Sequence, residues 1–448
     1  MKKRKYRIRW GRMAMLLAAL TAVGIAIYYA IVGIAAFIAW IIGMIEGLFE
    51  DETPRKPKVT VVVTKQQQAE TDAMTARVDS FMALPTRLDK NKIAVAVYDL
   101  TTRKPVFSYH ADRLMVPASC MKIPTAIAAL KTLGMEHRYQ TSLHMSGTLK
   151  NDTLFGTLLL NAEADPVMQT LMPLCEKLRQ KGVRHVRGDV RVNLALKDRL
   201  LGHPSSKSWD IPYNRTPLLL KGTRFVTAHL LATLRSAGVT YRKDTTVSHQ
   251  GEFQLVATAT NTLQDAIIPM MRNSSNIFAE AVFYHLDWKQ KLVAGQQKWN
   301  IEHTVEKYWR KEWQSDSTLL NGRFVFNDGS GLSPHNRLNA ASLIDMLCRA
   351  YDDKPLRDYL INRALATPGN ERRGSLLSRM SQAEYRDRIY CKTGTMTTIG
   401  ASSLAGYICG SDAHWYAFAI INVDSPVAES RLFQDKLCRM MMKKKRGN

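Results

Sequence analysis

Pro117-Ala118-Ser119-Cys120-Met121-Lys122-Ile123-Pro124-Thr125-Ala126-Ile127-Ala128-Ala129-Leu130-Lys131-Thr132-Leu133-Gly134 is the stretch around which this chain is organised. From Ser119 onward the apolar positions Met121, Ile123, Ala126, Ile127, Leu130 and Leu133 recur at helical spacing, and Gly134 supplies a stop. The pattern predicts a buried helix with Ser119 at its capping position and Lys122 three residues on, within side-chain reach. A serine hydroxyl is a poor nucleophile until a base takes its proton. A lysine serves as that base when burial or a neighbouring cation holds it neutral, and the helix N-terminus favours the developing alkoxide. Taken alone, Ser-x-x-Lys reads more simply as a capping serine and a solvated lysine, since the pattern arises by chance about once or twice in a chain of this length.

Outward from that helix, composition narrows the classes. With 448 residues, 46% hydrophobic and 23% charged, the chain has room for two or three packed domains and is not a disordered polymer. The formal net charge of +24 would suit a polyanion. Part of it, however, is terminal: Lys2, Lys3, Arg4, Lys5, Arg7, Arg9 and Arg12 at one end, Lys443-Lys444-Lys445-Arg446 at the other. No zinc-finger spacing or RNA-binding aromatic motif accompanies it, so no nucleic-acid partner is expected. The six cysteines form no Cys-x-x-Cys pair and the histidines are scattered, so neither a metal nor another cofactor is expected. Cys120 and Cys391 read as small core residues, with a disulfide between them as the alternative.

Residues 1–12 form a basic tail and Met13–Ile45 runs 33 residues without a charge, where about 20 suffice to cross a bilayer. The length predicts an uncleaved transmembrane anchor over a signal peptide. The positive charges before it place the N-terminus in the cytoplasm and everything from about residue 50 outside. Residues 46–75 read as a polar linker. Ile93–Leu100 and Pro105–Tyr109 read as a hairpin. Residues 140–255 alternate short strand signals with one helix, Val167–Lys181, and read as an inserted smaller domain within a body formed by 76–139 and 256–448. Two N-terminal strands and three C-terminal ones (Arg388–Thr395, Ser402–Cys409, His414–Val423), with a last helix over Val427–Met442, predict an α/β (α+β) fold. Both ends of the domain close one antiparallel sheet flanked by helices.

Three short patterns then fall in order: Ser119-x-x-Lys122, Ser274-x-Asn276 and Lys392-Thr393-Gly394. Singly, Ser274 and Asn276 are also helix caps, Lys392 an exposed strand lysine, and Asn327–Ser333 a glycine-rich turn and cap. Together the set resembles the signature of penicillin-binding proteins and serine β-lactamases. The first two serines are 155 residues apart, too far for a class A β-lactamase. Asp328-Gly-Ser-Gly-Leu-Ser333, Thr395 after the third motif and Ser402-Ser-Leu-Ala-Gly-Tyr407 resemble the D-alanyl-D-alanine carboxypeptidase/endopeptidase branch of the low-molecular-mass penicillin-binding proteins. So do the hairpin and Ala164-Asp165-Pro166, and the likeness covers roughly residues 76–440. The chain departs from that branch in a shorter insertion, in its anchor, and in Pro124 within the nucleophile helix.

The resemblance implies a penicillin-binding/β-lactamase-like domain that acts on peptidoglycan stem peptides and is trapped by β-lactams. It implies Ser119 as acylated nucleophile, Lys122 as base, Ser274 as proton relay, and Asn276 holding Lys122 and the substrate amide. Lys392 then supplies positive charge, Thr393, Gly394 and Thr395 bind substrate, and the backbone N–H groups of Ser119 and Thr395 take the oxyanion. A serine β-lactamase and a catalytically vestigial cell-wall-binding scaffold stand as alternatives. On this reading the protein is a single-pass protein of the bacterial cytoplasmic membrane with its catalytic body on the outer, periplasmic side.

Overall fold

A computed structural model describes residues 62–200, 213–247, 251–293, 304–314, 316, 319 and 322–442. Of the two units into which the chain divides, Met1–Val61 and Val62–Asn448, these all belong to the second. The expected anchor at Met13–Ile45 lies outside the described residues. Among them, no helix is long and apolar enough to cross a membrane.

Helix α1 (Lys65–Ala83) opens the unit, capped by Thr64 and Gln67 in a reciprocal capping box. It corrects the reading of 46–75 as linker: the polar run from Lys65 is the outer face of a helix whose inner face is Thr71, Met74, Val78 and Phe81. The hairpin β1 (Ile93–Asp99) and β2 (Lys104–Tyr109) follows, then α2 (Lys122–Leu133), the helix directly after Ser119. The next segment carries β3 (Arg138–Lys150), β4 (Thr153–Ala162), α3 (Met172–Gln180), β5 (His185–Leu194), α4 (Thr223–Ser236), β6 (Thr240–Lys243) and β7 (Gln254–Thr262). Helices α5 (Leu263–Arg272), α6 (Asn276–Val293), α7 (Thr304–Glu312), α8 (Ala340–Asp352) and α9 (Lys354–Tyr359) lead to β8 (Ile389–Met396), β9 (Ala401–Cys409), β10 (Trp415–Asn422) and α10 (Val427–Met442).

The first sheet has the order β2-β1-β10-β9-β8 and is antiparallel throughout, as expected from a hairpin near one end of the chain and three strand runs near the other. Both faces are covered, and the two faces differ in side-chain size. Ile93, Val95, Val97, Phe418 and Ile420 pack against α1 and α10. Ala94, Ala96, Ala405, Ala417 and Ala419 face α2 and its neighbours. Small residues on that face let α8 lie close to β1 and β10, and the short turn Ala118–Met121 before α2 packs against β8 and β9.

The second sheet has the order β6-β5-β4-β3-β7 and is mixed: β3 pairs antiparallel with β4 and β7, whereas β4–β5 and β5–β6 are parallel. Helices α3 and α4 connect the parallel strands and bury Leu174, Leu178, Val226, Leu230 and Leu234 against them. The expected helix Val167–Lys181 starts later, at Met172. Asp165 Oδ1 accepts from the backbone N–H groups of Val167 and Met168 at 2.8 and 3.3 Å, which holds that stretch in a turn.

Candidate active site

Ser119 sits in a short 3-10 turn, Ala118–Met121, that leads into α2. It does not cap the helix, as its position suggested; neither helix end there has a side-chain cap. Its hydroxyl is directed to Lys122, whose Nζ lies 3.0 Å from Ser119 Oγ, 2.8 Å from Asn276 Oδ1 and 2.5 Å from the Ser330 carbonyl oxygen. A neutral amine has two N–H groups and one lone pair. Donation to Asn276 and Ser330 uses both N–H groups and leaves the lone pair facing the serine. Lys122 is 0% exposed, which removes the solvated-lysine reading. Burial first, and the Lys392 charge second, hold its pKa well below the usual lysine value, against the opposing pull of Asp328 and Glu280.

Lys392, on the edge strand β8, is also 0% exposed, so it is not a solvated strand lysine. It donates to Ser274 Oγ at 2.8 Å and to the Thr393 carbonyl at 2.6 Å. Burial lowers its pKa to about 8. Ser274 occupies the left-handed region at φ 57, a strained position for a residue with a Cβ. The second motif therefore divides its work: Ser274 pairs with Lys392, and Asn276, the first residue of α6, pairs with Lys122.

The Asn327–Ser333 loop is more than a turn, and the cap of α8 is Asn339, which accepts from Ser342 N at 2.7 Å. Asp328 folds the loop by accepting from Gly331 N at 2.7 Å, Ser333 N at 2.6 Å and Asn336 Nδ2 at 2.8 Å. Thr125 Oγ1 ties Gly329 O to α2 at 3.1 Å. The folded loop presents the Ser330 carbonyl to Lys122. Glu280, one turn beyond Asn276 on α6, accepts from Ser330 N at 3.0 Å and is fully buried. Burial, then the Asp328 charge, pushes its pKa up to about 8. Sequence reasoning passed over Glu280, although Asn276-x-x-x-Glu280 puts both on one helix face.

The third motif closes the other side. A Cβ on Gly394 would lie 2.1 Å from Ser403 Oγ, 2.8 Å from Pro117 O and 3.0 Å from Ser119 N. Ser403 Oγ donates to Pro117 O at 2.5 Å, and Cys120 Sγ to Lys392 O at 3.3 Å. Cys120 and Cys391 are both free thiols. Thr393 Oγ1 is hydrogen-bonded to Ser375 Oγ at 2.7 Å, and Thr395 Oγ1 accepts from the Arg431 guanidinium at 2.9 Å. Ser375 and Arg431, from distant segments, carried no motif by which sequence could find them. The structure thus joins Ser119, Lys122 and Asn276 in one cluster and pairs Ser274 with Lys392, with Gly394 against the Ser119 turn and Thr393 and Thr395 bonded to Ser375 and Arg431.

This sheet, this helix and this set of groups place the chain in the penicillin-binding and serine β-lactamase class of folds. Within it, the model of the D-Ala-D-Ala carboxypeptidase 3 (S13) family matches residues 74–217 and 220–442, and the chain belongs to that family. It is a serine-type carboxypeptidase, a hydrolase. The chain is 22% identical to a D-alanyl-D-alanine carboxypeptidase of Actinomadura sp., with 73% of this chain and 77% of that protein covered. It is 24% identical to a carboxypeptidase of Mycobacterium tuberculosis, covering 82% and 84%. Among solved structures it superposes on penicillin binding protein 4 of Haemophilus influenzae with a TM-score of 0.63 at 17% identity, covering 83% of this chain and 99% of that one.

Proposed function

We propose that this chain removes the terminal D-alanine of peptidoglycan stem peptides through an acyl-enzyme on Ser119, and that it also cuts D-alanyl cross-links. The observation that carries the reading is the amine of Lys122, fully buried and 3.0 Å from Ser119 Oγ. Its lone pair takes the hydroxyl proton as Oγ attacks the carbonyl carbon of the penultimate D-alanine. The C–N bond then breaks, and the proton that Lys122 took passes by way of Ser274, whose Oγ is held by Lys392, to the departing amine, which leaves Lys122 neutral. Water attacks the ester, Lys122 again accepts a proton, and Ser119 recovers its own. The backbone N–H groups of Ser119 and Thr395 receive the oxyanion. Lys392, Thr393, Thr395 and the Arg431 guanidinium beside Thr395 attract the free carboxylate. Met13–Ile45 anchors the chain in the bacterial cytoplasmic membrane with the catalytic body outside, and residues 140–255 shape the cleft.

A β-lactam presents the same acyl group in a strained ring, and the Haemophilus influenzae protein has been captured complexed with one. Incubated with benzylpenicillin, the protein is expected to gain the mass of one intact penicillin and keep it for minutes, and to release D-alanine from a peptide ending in D-Ala-D-Ala. Rapid turnover to hydrolysed penicillin without an adduct would make it a β-lactamase. Neither adduct nor D-alanine would make the site vestigial. Digestion of cross-linked muropeptides checks the endopeptidase reaction.

Gly394→Ala tests the packing of β8 on the nucleophile turn. The added methyl must displace Ser403, Pro117 or Ser119 itself. Because a misplacement near 1 Å costs about 10²-fold in rate, penicillin acylation is expected to slow by about that factor. An unchanged acylation rate constant would show that the turn yields freely.

A further inference from the structure

Away from Ser119, three remote residues bring metal-binding atoms together. His137 lies in the turn between α2 and β3, Glu163 directly after β4, and His285 on the inward face of α6. His137 Nε2 and His285 Nε2 face one another at 3.0 Å, and Glu163 Oε2 lies 4.0 Å from His285 Nε2. One ligand atom from each residue falls within 4.8 Å of the others. His285 is 0% exposed, and its Nδ1 has no hydrogen-bond partner among the described residues. Two imidazole nitrogens this close share either one proton or one bound ion between them.

We propose that His137, Glu163 and His285 bind a divalent transition metal ion, zinc in the first place, with water at the fourth position. Imidazole nitrogens and one carboxylate are a donor set that selects zinc and its neighbours over magnesium or calcium. Zinc–nitrogen bonds near 2.0–2.1 Å at tetrahedral angles put two ligand nitrogens about 3.3 Å apart, close to the observed separation. Glu163 must draw in by about 0.7 Å on the same geometry. The Tyr139 ring packs against both imidazoles, with centroids at 5.6 and 4.6 Å, and fixes their planes. His137 and Glu163 are partly exposed, which gives an ion a way in. In this structure the Lys289 ammonium pairs with Glu163 and takes part of the place a cation would hold. The metal would tie α6, whose first residue is Asn276, to the turn after α2 and the end of β4. The site was not visible in sequence because its ligands are separated by 26 and 122 residues.

The test uses the untagged full-length protein, stripped with a chelator, titrated with zinc chloride by calorimetry and analysed for bound metal after desalting. One equivalent is expected. Glu163→Gln and His137→Gln should each weaken binding by tenfold or more, and Lys289→Gln, which removes the competing ammonium, should tighten it severalfold. Penicillin acylation reports that each variant is folded, so a failure here is distinct from a failure of the proposed activity. If His285→Gln does not fold, the opposite shifts of Glu163→Gln and Lys289→Gln still decide the matter. Absence of stoichiometric zinc, or zinc held equally by wild type and all variants, would overturn the proposal.

Discussion

With Ser119 replaced by alanine, D-alanine release is expected to fall by at least about 10⁴-fold, the scale on which loss of a serine nucleophile acts. The variant should take up no penicillin mass under conditions that fully label the wild type. Its melting temperature should move by only a few degrees. Ser119 is partly exposed and caps no helix, and the Lys122 amine keeps its bonds to Asn276 and Ser330 without it. A variant that is still acylated at the wild-type rate would move the nucleophile elsewhere, and one that unfolds would show that the hydroxyl serves structure as well.

The second large effect concerns the two buried amines. On the proposed mechanism, acylation needs Lys122 neutral and Lys392 charged. The rate should therefore rise with pH through the depressed pKa of Lys122, and fall again as Lys392 loses its proton at about pH 8. Lys122→Met is expected to lower acylation by about 10²–10⁴-fold, the usual contribution of a positioned base. Lys392→Met removes one of the causes that depress Lys122, so the acid limb of the profile should move to higher pH. Because burial is the larger cause, the limb should stay well below the pKa of a free lysine. Penicillin acylation rate constants measured from about pH 4 to pH 10 check both variants. An acid limb that moves to lower pH in Lys392→Met would contradict the electrostatic coupling between the two amines.

The same displacement acts on stability. Between the depressed pKa of Lys122 and the ordinary lysine value, an unfolded chain carries that lysine charged while the fold holds it neutral. The native state therefore binds fewer protons there, and this contribution to stability grows as pH rises toward the ordinary lysine value. Glu280 acts in the reverse sense. Its folded pKa of about 8 lies above the ordinary glutamate value of 4.5, so its contribution is full below about 4.5 and is lost as pH rises through about 8.

What could be read in advance follows the range of the interactions. The first sheet was legible because its strands are short apolar runs bounded by turns, and the motifs because Ser119 and Lys122, or Ser274 and Asn276, are neighbours along the chain. Helix α4 was missed although Val226, Leu230 and Leu234 recur at helical spacing, because its surroundings read as strands. Helix α1 was half hidden by its polar outer face. The second sheet's parallel pairs depend on crossovers that no local pattern announces. Glu280, Ser375 and Arg431 reach the site only through tertiary folding, and the Asp328 carboxylate shows its use only once the loop has closed around it.

Strand β1 pairs with β10 from Ile93–Asn422 to Asp99–Tyr416, so the first strand made waits for the last. At about 5–20 residues per second, a ribosome needs roughly 15–65 seconds to deliver the partner. During that interval Ile93, Val95 and Val97 have no neighbouring strand on that edge. Closure over so long a separation is also entropically slow. Nascent chains of this protein should therefore depend on a holding chaperone until synthesis is nearly complete, and a stop codon anywhere before β10 should yield an insoluble product, not a smaller enzyme.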